Sequence, residues 1–157
     1  MKKTYYLAFA DEEFKPNTMD KNKVMEVANL PDGWCKSRNC EFEYTSDKEK
    51  ANAILHVWSN ARITKHFPSM SGFSVTRFIE PPRIYFNLDN IKNPPKAYTG
   101  TKDEYLQYTI QHELGHAIFK IMTHKHESDV GIDGACNVMY QQTRGTQHCR
   151  PDYKFYE

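Results

Sequence analysis

The chain has 157 residues, with 21 Lys plus Arg against 20 Asp plus Glu. A length of this order fits one domain, residues 1–157, able to bury roughly 70% of the surface that its unfolded form exposes. Balanced charge without a basic stripe or an acidic block argues against a nucleic-acid partner and a disordered charged tail, and no apolar run approaches the ~18 residues of a membrane span.

Aromatic residues make up 13% of the chain. That fits a β-containing domain with an aromatic-rich core, or a peptide-binding cleft. Met1-Lys2-Lys3 followed by Thr4 to Ala10 mimics a signal peptide, and Ala8-Phe9-Ala10 mimics its cleavage site. The apolar stretch is shorter than an h-region of about 7–15 residues, so Tyr5 to Phe9 is read as a first strand.

Asp20 to Leu30 carries Val24, Val27, Ala28 and Leu30 at helical spacing and stops at Pro31-Asp32-Gly33. Glu41 to Tyr44 is short and alternating. Ala51 to Trp58 is mostly apolar on both faces, as expected of an interior strand. Phe73 to Ile79 and Arg83 to Leu88 are strand-like runs joined by Glu80-Pro81-Pro82 and read as a hairpin. Asn90 to Gly100, with two prolines and a glycine, reads as loop.

Thr101-Lys102-Asp103-Glu104 then matches a capping box, worth about 1 kcal/mol, ahead of a long helix predicted to end near Thr123. Leu106, Ile110, Leu114, Ala117 and Ile121 form its expected core-facing stripe, with His112 and His116 on a neighbouring face. Glu127 to Gly134 reads as loop. The order of elements predicts an α+β fold: a mixed twisted sheet, a backing helix, a long late helix carrying the site, and an irregular C-terminal subdomain. A cleft is expected between residues 1–118 and 119–157.

Cys35, Cys40, Cys136 and Cys149 form an even set. The Cys35–Cys40 and Cys136–Cys149 loops are each closable by a disulfide, but four cysteines allow three connectivities and the spacing does not choose among them. Disulfides would favour an oxidising, secreted compartment, whereas four free thiols would suit the cytosol. A zinc site of all four cysteines is disfavoured, because Cys136 and Cys149 are too far apart to match the Cys35–Cys40 pair.

His112-Glu113-Leu114-Gly115-His116 is the most specific stretch. Histidines four apart on a helix point the same way and can share one Zn²⁺, and the glutamate beside the first is placed to take a proton from metal-activated water. A catalytic zinc takes three protein ligands and leaves a position open. Candidates for the third are His124, His126, Glu127, Asp129 and Asp133, with histidine preferred because no second helix follows to present a carboxylate. His56 reads as a hydrogen-bonded core residue, His66 as a loop residue, and His148 as remote from the metal.

His112 to Ala117 resembles the start of the extended zinc motif of the metzincins, and Asn137-Val138-Met139-Tyr140 resembles their Met-turn, whose methionine lies under the metal as a packing floor. The chain departs from the metzincin pattern where glycine and a third histidine are usual, having Phe119 and Met122 there. Phenylalanine does not readily take the positive φ that glycine allows, and methionine is a poor zinc ligand beside imidazoles. A four-residue extension of the helix would bring His126 into the third position, and a two-residue insertion would bring His124. The first is favoured, because His126-Glu127 and Val138-Met139-Tyr140-Gln141-Gln142-Thr143 resemble small bacterial metzincin-like domains.

The resemblance covers the C-terminal half and implies one catalytic zinc held by His112, His116 and His126, with His124 as the alternative. Glu113 would be the general base, Met139 the floor, and Tyr140, Gln141 and Gln142 either the wall of the leaving-group side or plain structure. The implied activity is that of a monomeric zinc metalloendopeptidase whose peptide substrate pairs with a strand edge at Phe73 to Phe78. A metzincin-like binding module without catalysis, or a zinc hydrolase of non-peptide substrates, are the alternatives. No cysteine-switch pro-segment is evident, so self-inhibition is not expected.

Overall fold

The computed structural model describes residues 1–126 and 128–154; for Ile132 it describes the backbone alone. Five strands build one sheet: β1 (Lys3–Phe9), β2 (Cys40–Tyr44), β3 (Ala53–Trp58), β4 (Val75–Arg77) and β5 (Arg83–Asn87). Their spatial order is β2-β1-β3-β5-β4. β2, β1, β3 and β5 run parallel, and β4 returns antiparallel at one edge, with Val75 opposite Tyr85 and Arg77 opposite Arg83. The expected hairpin therefore forms, but its first strand holds three residues rather than seven. All six residues of β3 are buried, as a central parallel strand covered on both faces requires.

One face carries Leu7, Phe9, Leu55, Val57, Ile84 and Phe86 into the main core, where they meet two helices. α1 (Lys21–Ala28) starts at Asp20, whose carboxylate accepts from the Asn22 N–H at 2.9 Å. It ends at Asn29, whose side-chain amide donates to and accepts from the Phe42 backbone at 2.9 Å each way, which ties the helix end to β2. The second helix on this face is α5 (Lys102–Ala117). Between these two lie three helices that the sequence reading did not anticipate: α2 (Cys35–Arg38), α3 (Asn60–His66) and α4 (Leu88–Lys92). α3 carries Ile63 and leads into Phe67, which pack with Trp58 and Tyr85 on the opposite face of the sheet. Each of the three has seven residues or fewer, too short for a periodic apolar stripe to stand out.

The Thr101 capping box forms as expected: its hydroxyl accepts from the Glu104 N–H at 3.1 Å, and Glu104 accepts from the Thr101 N–H at 2.8 Å. The other end corrects the sequence reading. α5 stops at Ala117, not near Thr123, because the chain turns at Lys120 with a φ of 58° and the Ile121 N–H comes back to the Gly115 carbonyl at 3.1 Å. Nor is the helix simply amphipathic, since every residue from Tyr108 to Ala117 is buried. The sheet lies on one side of it, α1 and Trp34 on another, and the C-terminal segment on a third.

Two disulfides pair Cys35 with Cys40 and Cys136 with Cys149. The second holds a segment fixed further by backbone bonds between Cys136 and Arg150 and between Arg150 and Gly134. Among the described residues no helix is long and apolar enough to cross a membrane.

Candidate metal centre

His112 and His116 leave α5 one turn apart and project into the same cleft, with ring centroids 4.9 Å apart. Each ring is fixed by a backbone carbonyl: His112 Nδ1 donates to Val138 O, and His116 Nδ1 donates to Ile121 O, both at 2.6 Å. A carbonyl only accepts, so the proton of each neutral ring sits on Nδ1 and the Nε2 lone pair faces the cleft. That tautomer is the one a metal site needs, with the far nitrogen held by a second partner.

The third imidazole is that of His124. Its Nε2 lies 3.2 Å from Nε2 of His116, and its ring stacks parallel to His112 at 5.3 Å. One nitrogen from each of the three histidines fits within a sphere where all lie within 4.8 Å of one another. Two nitrogens bound to one tetrahedral zinc at about 2.05 Å sit about 3.3 Å apart, so the His116–His124 separation suits a shared ion. His112 and His116 are buried, while His124 is exposed and leaves the centre open to solvent.

Burial, with His116 the next contributor, holds the His112 imidazole well below its ordinary range. Burial also lowers His116, and burial followed by the neighbouring His116 and Arg144 pulls His124 down to about 4. All three rings are therefore neutral near neutral pH, as ligands must be.

His126, the favoured third ligand in the sequence reading, does not join them. It is exposed, its Nδ1 lies 3.1 Å from Ser128 Oγ, and its backbone N–H donates to Asp129 at 2.9 Å. The reason is the early end of α5. Without a helical extension the chain doubles back at Lys120, and the Lys125 N–H reaches the Met139 carbonyl at 2.9 Å. That bridge holds His124 over the pair and leaves His126 beyond it. Asp129 is engaged as just described, Asp133 is exposed at a φ of 57°, and Glu127 lies outside the described residues.

Glu113 is buried and is the one carboxylate among the described residues that line the cleft. Burial pushes its carboxyl up to about 8, against which the Thr76 hydroxyl acts as a donor at 3.4 Å. Thr76 sits on β4, so the exposed sheet edge forms the upper rim of the site. Below the helix, Met139 packs where Gly115 leaves room: a Cβ on Gly115 would lie 2.5 Å from Met139 Sδ and 2.6 Å from Trp34 Cζ2. Met139 belongs to a tight turn in which the Tyr140 N–H donates to Asn137 O and the Met139 N–H to Asn137 Oδ1.

The cleft encloses about 250 Å³ and is mainly apolar, with Phe73, Val75, Phe78 and Met122 around the polar centre. Of the three expected wall residues, Gln141 lines this cleft and Tyr140 an adjoining groove. Gln142 lines neither. It is fully buried, its side chain donates to the carbonyls of Asn137 and Asp152, and its N–H donates to the Tyr108 hydroxyl, which makes it a strut. His56 lies against Glu13 and Arg83 in the sheet, His66 ends α3, and His148 packs on Tyr140 beside Cys149, all away from the three-histidine group.

Sequence reasoning missed Thr76, Trp34 and Tyr108. Trp34 donates its indole N–H to the Gln111 carbonyl at 2.7 Å from 77 positions away, and no local pattern marks so distant a contact. Comparison with known proteins returns no match, whether to family models, to curated proteins or to solved structures.

Proposed function

We propose that this chain is a zinc-dependent metalloendopeptidase of metzincin-like type, acting on extended peptides. The observation that carries the reading is the convergence of three neutral imidazoles, two of them with Nε2 lone pairs directed by backbone carbonyls, beside a buried carboxylate in an open cleft. A purely structural zinc site has no use for that carboxylate and fills its fourth position with a protein ligand. His112, His116 and His124 would hold the ion, with spacing that corresponds to a two-residue insertion in the metzincin pattern. Bound there, zinc supplies a Lewis acid that lowers the pKa of coordinated water toward about 7 and polarises a carbonyl oxygen.

The chain's own groups supply the rest. Glu113, whose carboxyl the charge of a bound Zn²⁺ would bring back down from the value that burial alone gives it, would take the proton of the attacking water and pass it to the departing amine, as a general base that then becomes a general acid. Val138 and Ile121, through their carbonyls, hold the histidine rings in register and raise their basicity as ligands. Met139 and Trp34 support the helix from beneath as the floor that a Met-turn provides. β4 is an edge strand in the described sheet, so its outer backbone groups are available to pair with an extended substrate. The two disulfides favour an oxidising compartment as the place of action.

The test is a peptide-library cleavage assay with and without chelator, run beside Glu113→Ala. Chelator-sensitive cleavage in the wild type, together with retained zinc and a loss of turnover of at least about 100-fold in the variant, is expected. Full activity in Glu113→Ala overturns the mechanism, and the absence of any chelator-sensitive cleavage favours a binding module.

A further inference from the structure

A second groove, of about 450 Å³, opens from the metal centre on the side of the C-terminal segment. It shares His124 and Gln141 with the catalytic cleft and adds Lys125, His126, Tyr140 and Arg144. Among the described residues its lining contains two permanent cations and no carboxylate. Neither Lys125 nor Arg144 has an ion-pair partner among the described residues, whereas Lys21, Arg62 and Arg150 each have one. Both cations sit on fixed backbone. Lys125 is bridged to the turn at Tyr140, and Arg144 closes a 3-10 turn, Gln142–Arg144, with its N–H on the Gln141 carbonyl.

Arg144 lies over the Phe73 ring at 5.7 Å, which places its guanidinium at the N-terminal end of β4. A guanidinium laid on an aromatic face keeps its N–H groups free around the rim, in the planar fork that fits a carboxylate. The opposite end of the cleft is different in kind. There Phe78 stands 6.0 Å from His116 with its ring on edge, and Phe78 and Met122 are both exposed. The site is thus apolar at one end and cationic at the other. A peptide paired antiparallel to β4 runs opposite to it, so its residues after the scissile bond lie toward Phe73 and Arg144.

We propose that Lys125 and Arg144 form a subsite for a substrate carboxylate on the leaving-group side of the scissile bond. The inference rests on the peptidase reading for its place in catalysis, and it selects acidic peptides among the possible substrates. The carboxylate has two possible sources, a Glu or Asp side chain or the free end of a peptide cut close to its C-terminus.

The experiment uses matched peptides that differ only by Glu or Gln at each of the first three positions after the bond, and a second set ending in acid or amide. Each is assayed for cleavage by the wild type, Arg144→Gln, Lys125→Gln and the double variant. Each is also assayed for binding to zinc-loaded Glu113→Ala. An acid-over-neutral ratio of about 10 in both kcat/KM and affinity is expected for the wild type, falling toward one in the double variant. Arg144→Glu should push it below one. A preference that follows Glu over Gln assigns the groove to a side chain, and one confined to acid over amide assigns it to a chain end. A wild-type ratio near one in both sets overturns the subsite. If no peptide is cleaved the peptidase reading fails separately, and the binding ratio still decides the subsite.

Discussion

Met139 Sδ occupies the space that a side chain on Gly115 would need. A Cβ built there would come within 2.5 Å of the sulfur and 2.6 Å of Trp34 Cζ2. The residue just before the second of the two α5 histidines is therefore small for a steric reason, and the methionine of the following turn is placed by the same contact. Gly115→Ala should destabilise the protein by about 1–3 kcal/mol through overpacking, although alanine in a helix interior ordinarily gains about 0.5–1 kcal/mol over glycine. Denaturant unfolding of the variant checks this, and a gain in stability would mean the contact is not tight.

His124 and His126 separate by a single pair of substitutions. His124→Ala should weaken zinc binding by more than about 100-fold, beyond the 10–100-fold usual for the loss of an outer partner. His126→Ala, whose ring lies against Ser128, should change it by less than about threefold. Competition with a chromophoric chelator measures both, and the reverse ranking would restore His126 as the ligand.

The two disulfides should differ in weight. Cys136–Cys149 spans 13 residues and Cys35–Cys40 spans 5. Chain-entropy reasoning gives about 3 kcal/mol for the longer loop and about 2 kcal/mol for the shorter. Paired Cys→Ser variants, compared by thermal or denaturant unfolding, should follow that order. Only the longer one should also lower zinc affinity, because Cys136 precedes the turn whose Val138 carbonyl orients His112. Equal zinc affinity in both variants would show that the turn holds without its tether.

A pH dependence follows from His56. Its Nδ1 donates to Glu13 at 3.1 Å, and Arg83 donates to its Nε2 at 2.8 Å, a bond that requires an unprotonated nitrogen. Burial, opposed by Glu13, holds its pKa below the ordinary 6.5. The unfolded chain therefore takes up a proton that the folded one refuses. The resulting stability is present above about pH 6.5 and is lost as the pH falls toward the folded value. Unfolding free energies of wild type and His56→Gln, measured from about pH 7.5 to about 5.5, should differ in slope by at most one proton, about 1.4 kcal/mol per pH unit. Identical slopes would mean that His56 does not titrate in this range.

Much of the architecture was legible because it depends on near neighbours. β3 announced itself as a central strand by apolar residues on both faces, and α5 announced its start by Thr101 and Glu104, whose reciprocal bonds span three residues. α1 was found by spacing, with Asp20 serving as its cap rather than its first turn. The end of α5 was not legible, since periodicity continues through Ile121 while the chain leaves the helix at Lys120 to meet Gly115 again.

By itself, the sequence determined that His112 and His116 would share one face with Glu113 beside them, because 3.6 residues per turn leaves no alternative on a helix. It also offered two short loops, Cys35–Cys40 and Cys136–Cys149, that disulfides could close, without choosing among the three connectivities or four free thiols. Only the tertiary structure decided that these two pairs form, that His124 rather than His126 completes the trio, and that Gln142 is a strut. Each of those outcomes turns on where one strand of chain crosses another. The Lys125–Met139 backbone bond sets the position of His124, and the Arg144–Phe73 contact brings a cation to the edge of the cleft. These two contacts join residues 14 and 71 positions apart, and residue spacing carries no record of them.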